Sequence, residues 1–368
     1  MTNEKEKHVD TPAINIISVC SGIGGLDRGV ARALRRMGFT ARTVCYVERE
    51  AFACAILAER MESGDLDTAP VWTDIADFPA GNFAVYADMV IGGIPCQDFS
   101  VAGHHAGTDG KRWLWPDFWR VTRESNAKII FVENVPGFIS GKGLNAVLSD
   151  LAACGWDAQW DCFSAAEIGA PHKRERFFLL ACRNRLAYSA DIRSEMQRRI
   201  ANGQTRTDST YGAGDSMANA DSERWNRRNQ GSASGNPREI QAPRLCAAMG
   251  DAACEGLERD ELRNACNQNG TAKSHGSVAQ SGEISVWPPR PTDRNGWERI
   301  AIIRPDLVPA VRGKLNPRFV SWLMGFPPDW TEIPGAKGVD RLRALGNAVV
   351  SETAELALLT LWNRFINK

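Results

Sequence analysis

Two short apolar runs near the start of the chain are separated by a glycine-rich turn and a stretch with helical periodicity. The runs cover residues 14–20 and 43–48. The apolar residues between them repeat at the spacing of one helix face: Leu26, Val30, Leu34 and Met37. A strand, a helix and a strand at this interval predict a βαβ unit, whose two strands lie parallel in one sheet. Because a parallel sheet is covered on both faces, the pattern favours an α/β fold with helices on either side.

Three further apolar runs extend the pattern to about residue 182. They cover residues 89–91, 128–133 and 177–181, and Gly, Pro or polar residues end each of them, as is typical of buried parallel strands. We therefore predict a Rossmann-like α/β sheet. A last helix is predicted to begin at Ser351, a good N-cap residue, and to bury one apolar face. That face consists of Ala354, Leu358, Leu361, Trp362 and Phe365.

The middle of the chain has a different composition. Residues 183–285 hold three aromatic residues among 103, against 27 in the remaining 265, so little apolar surface is available to offset the entropy of ordering. We predict a first globular part at 13–182 and an inserted, irregular module at 183–313. The polar part of that module, 186–285, is predicted to be loosely folded or flexible. A returning segment at 314–368 is predicted to complete the first part.

Charge and cysteine usage exclude several classes of protein. Lysine plus arginine number 44 and aspartate plus glutamate also 44, which argues against a histone-like cation. No run of 18 apolar residues occurs, so no membrane span is expected. Ten scattered cysteines fit reduced thiols, and we expect a cytoplasmic protein. No metal site is predicted, because the candidate ligands match no zinc spacing: Cys246, Cys254, Cys266 and His275.

A glycine-rich turn follows the first predicted strand, with the sequence Ser21-Gly22-Ile23-Gly24-Gly25. Such a turn lets a ligand approach the backbone at a helix N-terminus. Glu48 ends the second strand, where an acidic residue typically binds ribose hydroxyls, and Asp74 is placed to end a third strand. Together these residues indicate a nucleoside cofactor without a pyrophosphate. For the glycines alone, an ordinary tight turn is the alternative.

Three more groups lie where strands of the predicted sheet end or begin. Cys96, in Pro95-Cys96-Gln97, is placed above the sheet and could act as a thiolate nucleophile, or it could be a buried cysteine in a turn. Glu133 ends another strand and could transfer a proton or serve as a solvated cap. Arg174 and Arg176 precede residues 177–181, and strand alternation would direct both to one side; a solvated charge run is the alternative.

In this order, the motifs resemble those of the DNA (cytosine-5) methyltransferases. The series runs from the glycine turn through Glu48, Asp74, Pro95-Cys96-Gln97, Glu133-Asn134-Val135 and Arg174-x-Arg176 to a late Gly346-Asn347-Ala348. The resemblance covers about residues 13–182 and 314–368. Four positions depart from the common pattern: Cys20, Arg49, Ile94 and His172. None of them removes a catalytic group, although Cys20 and Arg49 bear on the affinity for the cofactor.

The resemblance implies the Rossmann-like sheet of S-adenosylmethionine-dependent methyltransferases, with S-adenosyl-L-methionine as cofactor and residues 183–313 as target-recognition module. The implied cofactor-binding residues are Ser21, Gly22, Ile23, Gly24, Gly25, Leu26, Glu48, Asp74, Ile75, Pro95, Asn347 and Val349. The implied reaction is methylation of cytosine C5 through a Cys96 adduct at C6. Glu133 would act on N3 and the amino group, while Arg174 and Arg176 would hold the base and the Cys96 loop. The base would be flipped out of the duplex.

For partners, the resemblance implies double-stranded DNA and admits a cognate restriction endonuclease; we expect a monomer that binds no membrane. The candidate DNA contacts are Gln97, Ser100, Arg290, Arg294, Arg299 and Arg304, with Trp297 beside them. Arginine can read guanine or bind phosphate, so these residues do not decode a target sequence. Two alternatives remain open: a tRNA cytosine-5 methyltransferase and an inactive DNA-binding relative.

Overall fold

The structure is a computed structural model that describes residues 13–95, 113–140, 143–183 and 285–366. Several predictions fall outside these ranges. They concern Cys96, Gln97, Ser100, the cysteine and histidine candidates for zinc, and nearly all of the polar segment 186–285.

The predicted βαβ unit is present at the start of the described chain. Strand β1 covers Ala13–Val19, helix α1 covers Gly25–Arg36 and strand β2 covers Thr40–Val47. The two strands are parallel, with Val19 opposite Val47 at their carboxyl ends. All four residues predicted for the helix face are buried: Leu26, Val30, Leu34 and Met37. Periodicity alone therefore identified this unit.

A seven-stranded sheet forms the centre of the molecule. The elements that follow β2 are α2 Ala51–Glu62, β3 Val71–Trp72, β4 Met89–Gly93, α3 Trp115–Glu124, β5 Ile129–Asn134, α4 Gly137–Ser140, α5 Gly143–Ala153, β6 Trp156–Ser164 and β7 Glu175–Arg183. The order of the strands in the sheet is β3-β2-β1-β4-β5-β7-β6. One apolar layer packs α3 and α5 on one face, and a second packs α1 and the last helix on the other. The prediction of a Rossmann-like α/β fold is confirmed.

The direction of β7 corrects one part of the prediction. Residues 177–181 do form a buried strand, but it runs antiparallel to both β5 and β6 and not parallel to its neighbours. The physical reason is the short connection, residues 165–174, because a parallel crossover needs a dozen residues or more. Strand β6 was not predicted, although Trp156, Ala158 and Trp160 alternate with polar residues in its sequence.

The chain after residue 285 returns to the first part. Its elements are α6 Arg294–Ile303, β8 Ala310–Val311, β9 Lys314–Leu315, α7 Pro317–Leu323, α8 Gly338–Asn347 and α9 Ser351–Ile366. All five apolar residues predicted for the last helix are buried. Helix α9 lies so close to α1 that a Cβ atom on Gly29 would come within 2.7 Å of the Ala354 Cβ atom. The inserted module at 183–313 stays a prediction, because most of that range lies outside the residues that the structure describes.

A third apolar cluster joins the returning segment to α2 and to the glycine turn. It contains Ile23, Ile56, Trp322, Met324 and Trp330, all buried. No helix in the described ranges is long and apolar enough to cross a membrane.

Candidate active site

The register of the central strands brings the predicted site residues to one edge of the sheet. Val19 at the end of β1 lies opposite Gly92 of β4, and Gly93 lies opposite Glu133 of β5. Ligands of open α/β sheets bind at this carboxyl edge. The glycine turn, Glu48 and Glu133 therefore follow neighbouring strands at the same edge.

The glycine turn has a backbone that L side chains rarely adopt. Gly22 and Gly24 have φ angles of 56° and 81°, and Cys20 just before them has a φ of 51°. The Gly22 amide donates a 2.7 Å hydrogen bond to Oε2 of Glu48. The Ser21 hydroxyl donates to the carbonyl of Ser18 at 3.0 Å. The turn is thus tied to the residue predicted to bind ribose.

The three glycines of the turn differ in what surrounds them. A Cβ atom on Gly22 would meet no atom within 4 Å, so this residue borders open space. A Cβ atom on Gly24 would come within 2.8 Å of Leu66, and one on Gly25 would overlap the carbonyl oxygen of Val349. A ligand could therefore approach the backbone at Gly22, while Gly24 and Gly25 allow close packing of the protein behind the turn.

The acidic residues that come after β2 and β3, Glu48 and Asp74, accept hydrogen bonds from nearby backbone amides. Oε1 of Glu48 accepts a 2.8 Å hydrogen bond from the amide of Glu50, in addition to the bond from Gly22. Oδ1 of Asp74 accepts from the amide of Ala76 at 3.0 Å and caps a short 3₁₀ helix that begins at the buried Ile75. Each carboxylate oxygen can accept a second hydrogen bond, so both side chains retain capacity for ligand hydroxyls.

Glu133 and Arg176 form an ion pair at the end of β5. The distance from Arg176 Nε to Glu133 Oε1 is 3.1 Å, and only 12% of the Glu133 side chain is exposed. Burial raises the pKa of the Glu133 carboxyl, while the charges of Arg176 and Arg174 oppose that rise. A Cβ atom on Gly93 would come within 3.2 Å of Glu133 Oε2, so the glycine leaves room for this carboxyl. A carboxyl that is readily protonated can donate a hydrogen bond to a ligand.

The segment leading to the predicted nucleophile starts beside this ion pair. Asn134 Nδ2 donates to the carbonyl of Ile94 at 3.3 Å, and Asn134 is buried. This bond ties the end of β5 to the chain just before Pro95. Cys96 follows directly in the sequence and lies outside the described residues.

Arg174 has other partners than Arg176. Strand β7 begins at Glu175, and Arg174 has a φ of 28°, so strand alternation does not extend to it. Its buried guanidinium donates through Nη2 to the carbonyl of Gly346 at 2.7 Å and to that of Ala348 at 2.6 Å. These two carbonyls flank Asn347. Arg174 therefore connects the turn before β7 to the returning segment.

The returning segment packs behind the glycine turn. Asn347 is exposed at the end of α8, and Val349 is buried with its carbonyl against Gly25. Trp330 donates from its indole Nε1 to the carbonyl of Ile23 at 2.9 Å. Sequence reasoning missed this contact with the turn. No local pattern marks a tryptophan as the partner of a carbonyl 307 residues away.

The candidate DNA contacts within the described residues divide into two groups. Arg290, Arg294 and Arg299 are exposed around α6. Arg304 instead forms two hydrogen bonds with Asp306, at 2.9 and 2.8 Å. Trp297 donates to the carbonyl of Arg290 at 3.0 Å and packs edge-on against Phe319. Arg304 and Trp297 thus have structural partners inside the protein.

Two of the positions that depart from the common pattern differ in their surroundings. Arg49 is exposed, directly after Glu48. His172 forms a 2.7 Å hydrogen bond from Nε2 to the carbonyl of Leu323, and burial lowers its pKa to about 4. His172 therefore stays neutral at physiological pH, and its hydrogen bond ties the β6–β7 connection to the end of α7.

Comparison with protein families gives one match that spans nearly the whole chain. The model of the C-5 cytosine-specific DNA methylases matches residues 14–359. The chain belongs to this family. The resemblance identified from the motifs is thereby confirmed.

Relatives named Type II methyltransferases are similar over part of this chain. Type II methyltransferase M.NgoMIV of Neisseria gonorrhoeae is 32% identical over 171 residues, which are 46% of this chain and 51% of that protein. Type II methyltransferase M.AquIA of Picosynechococcus sp. is 33% identical over 183 residues, 46% of this chain and 71% of that protein. The alignment thus spans about half the length of M.NgoMIV.

Solved structures share the fold of this chain. A DNMT2 variant from Spodoptera frugiperda gives a TM-score of 0.50 at 16% identity and covers 96% of this chain and 100% of its own. A protein encoded within an E. coli prophage, assigned as a DNA modification methyltransferase, gives 0.50 at 20% identity with coverages of 96% and 100%.

Proposed function

We propose that this chain transfers the methyl group of S-adenosylmethionine to C5 of a flipped cytosine in double-stranded DNA, with Cys96 as the nucleophile. The observation that carries the proposal is the ion pair of Glu133 and Arg176. The pair lies at the end of β5, where Glu133 is opposite Gly93, the last residue of β4. Cys96 comes three residues after Gly93 in the sequence. The glycine turn follows the strand on the other side of β4.

The residues at the glycine turn fit S-adenosylmethionine. Gly22 borders open space, and the carboxylate of Glu48 is held beside it by backbone amides. A carboxylate in this position accepts hydrogen bonds from ribose hydroxyls. Ile75, next to Asp74, is an apolar residue that could border an adenine ring, although most of its surface packs in the core. We assign Ser21 to Leu26, Glu48, Asp74, Ile75, Pro95, Asn347 and Val349 to this cofactor.

The chemistry of cytosine explains why a thiolate and a carboxyl are needed together. C5 is a weak nucleophile until a group adds at C6. The Cys96 thiolate would form a bond to C6. Glu133 would donate a proton or a hydrogen bond at N3 and so stabilise the negative charge that the addition places on the ring. Burial favours the protonated form of Glu133 that this step uses.

The later steps return the ring to its aromatic form. When bound, S-adenosylmethionine would supply C5 with a methyl group from a positively charged sulfur, and the neutral thioether S-adenosylhomocysteine would be the leaving group. Transfer of the C5 proton to water would then form the C5–C6 double bond and release the Cys96 thiolate, while the proton on N3 returns to Glu133. Arg176 holds Glu133 in position throughout, and Arg174 holds the segment around Asn347.

DNA is the substrate class that the family membership supports. The relatives are named Type II methyltransferases, which admits a cognate restriction endonuclease for this chain as well. A base must leave the duplex before C5 can reach the cofactor, so the reaction includes base flipping. The inserted region 183–313 is proposed to contact the target.

The test combines methyl transfer with a covalent trap. The wild-type protein is incubated with labelled S-adenosylmethionine and either duplex DNA or tRNA, and the modified cytosines are located by bisulfite sequencing. We expect label in the DNA only. Duplex DNA containing 5-fluorocytosine should trap the protein covalently, because fluorine cannot leave as the C5 proton does.

Two cysteine variants complete the experiment. Cys96→Ser should abolish transfer and trapping, since a hydroxyl has a far higher pKa than a thiol. Cys154→Ser is the matched control, because Cys154 is an exposed free cysteine remote in sequence from every motif of the site. Wild-type methylation by the Cys96→Ser protein, or label in tRNA alone, would refute the proposal.

A further inference from the structure

Trp330 is a fully buried residue of the returning segment that contacts the glycine turn from behind. It belongs to the apolar cluster around Ile23, Met324 and Phe326 and has no exposed surface. Its indole Nε1 donates to the carbonyl of Ile23 at 2.9 Å. Ile23 lies between the two glycines of the turn that adopt positive φ angles, Gly22 and Gly24.

This hydrogen bond acts on the part of the turn that faces the cofactor. The Ile23 carbonyl belongs to the peptide that precedes Gly24, and the Gly22 amide on the other side of Ile23 donates to Glu48. A buried carbonyl without a partner is costly, so the turn is most stable in the shape that satisfies it. That same shape directs the Gly22 amide at the carboxylate proposed to bind ribose.

Two arginines fix the indole ring. The guanidinium of Arg28 lies 4.5 Å from the centre of the Trp330 ring and 5.5 Å from that of Phe326. The guanidinium of Arg60 lies 5.5 Å from the Trp330 ring. Such cation–π contacts are attractive and restrict the position of the ring. Arg28 is on α1 and Arg60 is on α2. The tryptophan ring is therefore contacted by the helix that follows β1 and by the helix that follows β2.

We propose that Trp330 is a positioning residue for S-adenosylmethionine, which acts by fixing the Ile23 carbonyl and with it the shape of residues 21–25. The proposal rests on the proposed function, since it assigns the turn to that cofactor. It explains why the chain must return from the middle region before the site is complete. The turn lacks this support until residues 326–330 pack behind it.

Trp322 provides a matched control within the same cluster. It is also buried, with 3% of its surface exposed, and its indole Nε1 also donates to backbone carbonyls, those of Ser285 and Val286 at 3.1 Å. Neither acceptor belongs to the turn. Trp322→Phe and Trp330→Phe therefore each remove an indole N–H from buried surroundings. Only Trp330→Phe removes a hydrogen bond to the glycine turn.

The experiment measures methyl transfer to duplex DNA by the full-length protein as a function of each substrate. We expect Trp330→Phe to raise KM for S-adenosylmethionine by roughly threefold to tenfold, the range of one lost hydrogen bond. KM for DNA and kcat should change by less than about twofold. Trp322→Phe should leave KM for S-adenosylmethionine unchanged. Thermal unfolding of both variants without ligand reports the purely structural cost.

The outcomes separate this inference from the proposed function. If the wild type transfers no methyl group and binds no S-adenosylmethionine, the proposed function fails and the inference fails with it. If the wild type is active and the two variants have the same KM for the cofactor, only the inference is overturned. Should Trp330→Phe fail to fold, 3-benzothienylalanine at position 330 keeps the size of the ring and removes only the N–H group. An unchanged KM for that protein also overturns the inference.

Discussion

Arg174 donates a hydrogen bond of 2.6 Å to the carbonyl of Ala348, a residue 174 positions later in the chain. The same guanidinium nitrogen reaches the carbonyl of Gly346 at 2.7 Å. The bonds thus join the turn before β7 to the end of α8. The Arg174 side chain therefore holds two segments together. One carries Arg176, the ion-pair partner of Glu133, and the other carries the proposed cofactor residue Asn347.

Replacement of Arg174 by lysine tests the importance of this double contact. Lysine keeps the charge, but its shorter side chain ends in a tetrahedral ammonium in place of the planar guanidinium whose Nη2 bonds both carbonyls, so Arg174→Lys should raise KM for S-adenosylmethionine and lower stability by about 1–2 kcal/mol. Arg364→Lys is the control, because Arg364 binds Asp161 at 2.7 Å away from the site. Equal cofactor KM values for the two variants would contradict the assignment. Denaturant unfolding and steady-state kinetics give both quantities.

Close packing of α1 on α9 predicts a second result. A Cβ atom on Gly29 would lie 2.7 Å from the Ala354 Cβ atom and would overlap the carbonyl of Ser351. Gly29→Ala should therefore destabilise the protein by about 1–3 kcal/mol, as overpacking does. Gly81→Ala is the control, since a Cβ atom there would meet nothing within 4 Å. A Gly29→Ala protein as stable as wild type in urea unfolding would show that the two helices can separate without cost.

Local patterns predicted the elements but not the contacts between distant segments. The periodicity of Leu26, Val30 and Leu34, and that of the last helix, reports burial within one element, so both helices followed from the sequence. The glycine turn and Glu48 were placed together because parallel strands end at one edge. The direction of β7 depends on which strand it pairs with, and its own apolar residues carry no signal of that choice.

The contacts that complete the site illustrate the same limit. Trp330 reaches Ile23, and Arg174 reaches Gly346 and Ala348, through hydrogen bonds to backbone carbonyls. A carbonyl is present at every residue, so an acceptor of this kind leaves no trace in the side-chain pattern. The pair of Arg304 and Asp306 lies within one segment, and the prediction that Arg304 contacts DNA stays a prediction.

A buried carboxyl predicts how stability depends on pH. Asp27 is 4% exposed within the first turn of α1, and burial raises its pKa to about 7, against a smaller opposing effect from Ser18. The folded protein then holds a proton that the unfolded chain has lost above pH ~4. The free energy of unfolding should therefore fall by up to about 4 kcal/mol as pH rises from about 4 to 7.

The variant Asp27→Asn isolates this contribution. It cannot ionise, so its unfolding free energy should lose that part of the pH dependence, and it should be more stable than wild type at pH 8. Urea unfolding between pH 4 and 8 measures both curves. Parallel curves for the two proteins would show that Asp27 ionises in the folded state as readily as in the unfolded chain.

The exposed arginines of α6 give a prediction about DNA. Arg294 and Arg299 are exposed on this helix, whereas Arg304 donates from Nε and Nη2 to the two carboxylate oxygens of Asp306. An arginine that neutralises a phosphate releases counterions. Its removal therefore reduces the slope of the logarithm of the binding constant against the logarithm of the salt concentration by about 0.9 per contact. The double variant Arg294→Ala with Arg299→Ala should bind duplex DNA more weakly and with a smaller salt slope.

Arg304→Ala is the control and should keep the wild-type slope, because the charge of Arg304 is already paired with Asp306. Binding titrations from 50 to 300 mM salt would distinguish the two variants. If Arg304→Ala loses more of the slope than the double variant, then Asp306 releases the guanidinium to DNA, and α6 is not the phosphate-binding surface.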